Sequence, residues 1–93
     1  MISDICGAIA GFKIIYFQYK MTKRVVEPHT LGYARDGQLT LSAYQISGGS
    51  GIGWRDFHVA LMSNLQISDE IFDTPRNGYS RNDKTLKEII CQI

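Results

Sequence analysis

The sequence predicts a mainly β (α+β) domain: a small five-stranded antiparallel β-barrel with an N-terminal and a C-terminal helix. Three observations predict it. Five closely spaced runs are rich in β-branched and aromatic residues or alternate in polarity. Short polar turns separate them, and the clearest is Asp36-Gly37. Both ends of the chain instead space their apolar residues as a helix does. Consecutive strands joined by short turns form antiparallel meanders, and five strands cannot hide both edges in a flat sheet. The sheet is therefore expected to curl into a partly open barrel. With 93 residues the chain is one domain, 1–93, with its core over about 2–75 and the closing helix over about 82–93.

The elements follow in order. Ser3 or Asp4 is expected to cap a helix through Ala10, with Ile2, Ile5 and Ile9 on one stripe and Gly11 ending it. Phe12 to Tyr19 is the first strand, apolar on both faces. Lys23 to Glu27 is the second; Pro28, with no N–H for a ladder, is expected to break it before an extended path resumes over His29 to Arg35. Asp36-Gly37 predicts a two-residue type I′ hairpin. Leu39 to Ile46 follows, with Leu39, Leu41 and Ala43 on one face and Thr40 and Ser42 on the other. A glycine-rich connection, Ser47 to Gly53, leads to a strand over Trp54 to Leu61, which places Phe57, Val59 and Leu61 together. Asn64 to Ile67 reads as one more short strand, Asp69 to Phe72 as a helical turn, and Arg76 to Arg81 as a loop. Leu86, Ile89, Ile90 and Ile93 share one face of a final helix over Asp83 to Gln92, capped near Asn82.

Composition excludes several classes. A hydrophobic fraction of 44% with 20% charged residues is a globular balance, unlike that of a disordered chain. A net charge of +1 gives no bulk attraction to nucleic acid or membranes, so any such role needs a local patch. Cys6 and Cys91 stand at opposite ends and match neither a metal spacing nor a disulfide framework. They read as small buried hydrophobes in a reducing compartment. The N-terminus carries Asp4 and no basic region, and the longest strongly apolar run is Ile14 to Phe17. The expected location is the cytoplasm, with no membrane partner.

The run Arg24-Val25-Val26-Glu27-Pro28-His29-Thr30-Leu31 resembles the R-x-V-x-P-x-x-L segment of the WYL domain family. Leu39-Thr40-Leu41-Ser42-Ala43-Tyr44 lies where the family has its Trp-Tyr-Leu followed by x-A-Y. Phe57 to Met62 lies where it has F-R-x-x-R-I, and Glu70-Ile71-Phe72 resembles its closing stretch. The resemblance spans about Ile2 to Pro75. The chain departs from the family at Leu39 and Thr40, which replace the naming Trp and Tyr, and at His58 and Leu61, which replace two arginines. The resemblance implies an Sm-like barrel. It also implies a sensing module of bacterial transcriptional regulators that contacts nucleotides or single strands through a basic, aromatic face. A separately encoded DNA-binding regulator would then be a partner.

Such a face needs cations for phosphate and rings for bases. Lys20, Lys23 and Arg24 cluster at one turn, and the candidate ligand residues are Arg24, Tyr33, Arg35, Tyr44, Arg55 and His58. Arg24 matches the family arginine; the competing role is an ion pair with Glu27 or Asp56. His58 and His29 have no third metal ligand at a recognisable spacing. Gly48-Gly49-Ser50-Gly51-Ile52-Gly53 precedes a strand rather than a helix, so it reads as a hairpin loop and not a phosphate cradle. Ser50 lacks the second glycine of a G-x-S-x-G elbow. Asp69, Glu70 and Asp73 lack calcium-loop spacing. The expectation is therefore a non-catalytic ligand-sensing module without cofactor or metal. It binds a nucleotide or short single-stranded nucleic acid. The alternative is a protein-interaction or dimerisation domain that pairs as a homodimer through the C-terminal helix.

Overall fold

The computed structural model describes residues 1–49 and 51–93; Ser50, set aside above as a nucleophile, lies outside them. The domain is mainly β, with one helix and an antiparallel sheet of six strands. The helix α1 (Ile2–Ala10) is followed by β1 (Lys13–Tyr19), β2 (Thr22–Ala34), β3 (Leu39–Ser47), β4 (Gly53–His58), a 3-10 turn (Val59–Leu61), β5 (Ser63–Ile71) and β6 (Leu86–Gln92). The strand order is β4-β3-β2-β1-β5, and β6 lies off this path against β2. Among the described residues β4 and β5, at the two ends of the row, do not pair with each other, so the sheet is not a closed barrel.

The 13-residue β2 organises the sheet. Along one edge it pairs with β3 from Val25 to Tyr33. Along the other it pairs first with β1, ending at Val26 opposite Ile15, and then with β6, starting at Thr30 opposite Gln92. Pro28 falls in the gap between those two partners, where its missing N–H costs no ladder bond. The expected break is thus a register shift between Pro28 and Thr30 inside a continuous strand.

The expected C-terminal helix is instead β6. A helix there would leave the Thr30–Ala34 edge of β2 without partners for its buried backbone groups, and β6 supplies them. Gly32 makes the approach feasible: a Cβ there would lie 2.2 Å from the Glu88 carbonyl oxygen. Cys91 reaches α1 and forms a disulfide with Cys6, with Cα atoms 5.8 Å apart. The reading of two separate buried thiols is therefore corrected. No single segment of sequence reveals that pairing, because 85 positions separate the two.

Other expectations change for local reasons. Met1, rather than Ser3 or Asp4, takes the N-cap position of α1. Gly11 has a φ of −91°, and the left-handed turn falls on Phe12 at φ 53°. Asp36 has no positive φ, so the hairpin is not type I′. Gly37 N–H donates to the Ala34 carbonyl and Ala34 N–H to that of Gln38. With Gly37 at φ 84°, this is a three-residue loop with a left-handed glycine. The 3-10 turn interrupts alternation after His58, so Phe57 and Val59 are buried while Leu61 is 55% exposed. Residues 69–71 extend β5 and are no helical turn.

The core bears out the alternation expected in β3. Leu41 and Ala43 are buried with Ile5, Ile9, Ile15, Phe17, Val26, Leu31 and Phe57. Phe17, Tyr19 and Phe57 meet edge to face, with centroids 5.0 to 6.3 Å apart. Thr40 and Ser42 on the opposite face are also buried. Segment 72–85 contributes to covering that side, placing Phe72 and Tyr79 against His29 and Asn77 against Trp54.

The disulfide restricts the unfolded chain across nearly its whole length, which the chain-entropy relation values at roughly 4–5 kcal/mol. Reduction, or the Cys6→Ser and Cys91→Ser double variant, should therefore lower the urea midpoint markedly. Equal midpoints with and without reductant would remove the tie from the account of stability.

Candidate functional site

Alternation decides where the candidate residues go. Arg24 shares its face of β2 with Val26, and Arg55 shares its face of β4 with Phe57, so both point toward the core side. Tyr44 and His58 have the opposite parity and lie on the side that segment 72–85 partly covers. Tyr33 and Arg35 sit at the far hairpin, where the Arg35 guanidinium donates to the Lys84 carbonyl at 3.3 Å. The structure thus brings Arg24 and Arg55 together and separates them from the other four.

Arg24 is only 8% exposed. Its Nε donates to the Thr22 hydroxyl at 2.7 Å and its Nη1 to Gln45 Oε1 at 3.0 Å. Its guanidinium also lies 5.5 Å from the Tyr19 ring centroid and 5.9 Å from that of Phe57. Neither Glu27 nor Asp56 pairs with it, and no carboxylate among the described residues does. The glycine run has a structural role here. A Cβ at Gly49 would lie 2.3 Å from Arg24 Cζ, so a larger residue would displace the guanidinium from its place under the loop, and the φ of 50° there also suits glycine. The Gln45 amide holds that loop by donating to the Gly48 and Gly51 carbonyls at 2.7 and 2.6 Å. Arg55 donates to the Trp54 and Gly51 carbonyls at 2.7 and 3.3 Å.

An open cleft of about 330 Å³ adjoins these groups, lined by Tyr19, Lys20, Arg24, Arg55, Asp56 and Phe57. Three cations line it, while alternation along β4 turns the Asp56 carboxylate to the opposite face, beside Ser42. Lys23 stands on the next hairpin position, with its Nζ 5.0 Å from the Tyr16 ring centroid. Tyr16 in turn donates to the Glu70 carboxylate, which raises the phenol pKa.

A second polar cluster went unread in the sequence. Glu27, 4% exposed, accepts from Arg76 Nε at 2.7 Å and Nη2 at 3.1 Å, a two-pronged pair. The Arg76 guanidinium also lies over the Tyr44 ring at 4.6 Å. His29 is fully buried among the rings of Trp54, Phe72 and Tyr79. Its Nε2 accepts the Arg76 backbone N–H at 3.0 Å, which leaves Nδ1 to donate to the Glu27 carbonyl at 2.8 Å. That assignment makes the imidazole neutral. Glu27 and Arg76 are 49 positions apart, so no local pattern could announce the pair.

His58 ends β4, and its backbone N–H donates to the Tyr19 hydroxyl at 3.1 Å. No group of three or more His, Cys, Asp or Glu among the described residues is arranged to hold a metal ion. No helix among them is long and apolar enough to cross a membrane. Family models, curated proteins and solved structures provide no match to the chain.

Burial holds the His29 pKa below its ordinary value; the Glu27 carbonyl and carboxylate pull it up, and Arg76 pushes it down. The unfolded chain therefore binds more protons than the native one between the lowered value and about 6.5, and stability rises with pH across that window. The contribution is complete above about 6.5 and is lost as the pH falls through the native value. Urea midpoints should drop as the pH falls through this window in the wild type and drop less in His29→Asn. Parallel pH profiles for the two proteins would contradict the assignment.

Proposed function

We propose that this protein is a non-catalytic ligand-binding module of the WYL type. In this reading it takes the phosphate of a nucleotide or short single-stranded nucleic acid in the cleft between Arg24, Arg55 and Lys20. One observation carries the proposal: an arginine only 8% exposed, with no carboxylate partner among the described residues, borders an open cleft beside two further cations. A buried charge is costly unless something compensates it. The rings of Tyr19 and Phe57 and the Gln45 and Thr22 oxygens compensate Arg24 in part, and an incoming phosphate would add the missing negative charge. The matching segments from Arg24 to Leu31 and from Leu39 to Tyr44 support the same reading, as does their Sm-like implication for the sheet.

The proposal is narrower than a general basic, aromatic face. Tyr33, Tyr44, Arg35 and His58 lie elsewhere, so recognition rests on the phosphate more than on base stacking. Lys20 is exposed and serves capture; Arg24 is preorganised and serves fit. A cytoplasmic location would favour the reduced form of Cys6 and Cys91, and an oxidising one the disulfide.

A second reading has its own observation. Among the described residues β5 pairs only with β1, and its other edge is open with Ile67 and Ile71 39% and 63% exposed. An unpaired strand edge is a ready template for another chain. The homodimer would then form through this edge, because no C-terminal helix exists to mediate it.

Titration with mononucleotides and short oligonucleotides separates the two. Binding should appear at low salt and weaken as salt rises, because phosphate contacts release counterions. Lys20→Ala should weaken it about three- to tenfold, the worth of roughly one surface charge. Arg24→Ala should weaken it further, with folding checked by circular dichroism. No binding by any of these ligands at low salt, together with a stable dimer, would replace this reading with the second.

A further inference from the structure

The sheet face opposite the apolar core holds a second hollow, distinct in chemistry from the basic cleft. Thr30, Ser42 and Asp56 form one cross-strand row over β2, β3 and β4, because Thr30 pairs with Ser42 and Ser42 with Asp56. Trp54, Tyr79 and Asp83 complete a space of about 180 Å³ over that row.

The polar groups are unevenly matched. No lysine, arginine or histidine lines the hollow, while two carboxylates do. Partial burial raises the Asp56 pKa, and the charge of Asp83 adds to this; a Ser42 hydrogen bond and the neighbouring His58 act the other way. Thr30 is 1% exposed, and its hydroxyl has no hydrogen-bond partner among the described residues. Every fully enclosed side-chain polar atom among them does have one. The Thr30 hydroxyl therefore opens onto this space, which is the outlet that its residue lines.

The aromatic walls present rings rather than polar atoms. Trp54 Nε1–H is already donated to the Asn77 carbonyl at 3.0 Å, and the Tyr79 hydroxyl to that of Ile93 at 2.7 Å. Two carboxylates, ring surfaces and unspent hydroxyl capacity suit an organic cation. A divalent metal is poorly served, since calcium takes about six to eight oxygens and no cluster of three acidic or ligating residues exists among those described. A sugar would need the polar tips that Trp54 and Tyr79 have committed elsewhere.

We propose that this hollow is a binding site for a small primary alkylammonium, its charge held between Asp56 and Asp83 and its carbons against Trp54 and Tyr79. The ammonium N–H groups meet the two carboxylates and the Thr30 hydroxyl. The site is independent of the phosphate reading: its lining cations are absent and its ligand carries the opposite charge.

Trp54 is the single tryptophan of the chain, so its emission reports on this hollow directly. Ethylammonium chloride should change that emission saturably, above any effect of sodium chloride at equal ionic strength, and ethanol should not. Asp83→Asn should weaken the response at least about tenfold, an energy near 1.4 kcal/mol. That variant keeps the oxygen that accepts from Thr85 N–H and Oγ1 at 2.9 Å. Asp56→Asn should do the same; if it fails to fold, Asp83→Asn decides alone. No saturable change with ethylammonium, an undiminished response in Asp83→Asn, or saturation by calcium chloride instead would each overturn the proposal.

Discussion

A 13-residue strand has two edges, and the backbone groups along both must find partners once the strand is buried. β2 meets this constraint by changing neighbours at Pro28. β1 serves the first half of one edge and β6 the second, while β3 runs along the other. Recruiting the last strand of the chain to this edge carries segment 72–85 toward the second sheet face. The Cys6–Cys91 bond then ties the far end of β6 to α1. The polar cluster at Glu27 and the hollow above Thr30 both follow from that one pairing.

The domain buries its charges in two different ways. Glu27 is matched within the fold: Arg76 grips it with two nitrogens, and His29 beside it stays neutral by donating from one nitrogen and accepting at the other. Neither Glu27 nor His29 is left with an unmet demand. Arg24 is matched only by neutral oxygens and ring faces. The cleft beside Arg24 therefore adjoins a charge that the fold itself answers only with dipoles. A charge fully answered inside the protein explains stability, and one answered only by dipoles leaves room for an external ion.

The proposed phosphate cleft and the proposed ammonium site meet at β4. Arg55 faces one and the Asp56 carboxylate the other, as successive residues of a strand do when each face of a sheet has its own solvent-accessible hollow. Their opposite electrostatic signs come from this alternation and from the loops added on each side. The glycine loop brings backbone over Arg24, and segment 72–85 brings Asp83 toward Asp56.

Local pattern in the sequence determined that the domain is mainly β and antiparallel, with a helix at the start, β1, β3 and the inward set Leu41 and Ala43, because those features depend on residues within a few positions of one another. It also placed Arg24 and Arg55 on strands, where alternation fixes the face each one takes. Tertiary structure alone decided the rest. Leu86, Ile89, Ile90 and Ile93 fit a helical stripe, yet the open edge of β2 draws them into a strand, since a ladder of backbone hydrogen bonds outweighs a weak intrinsic preference. The partners Cys6 with Cys91 and Glu27 with Arg76 lie too far apart for any periodicity to join them. Whether a polar residue such as Ser42 meets water or a covering segment likewise depends on where a distant stretch of chain comes to rest.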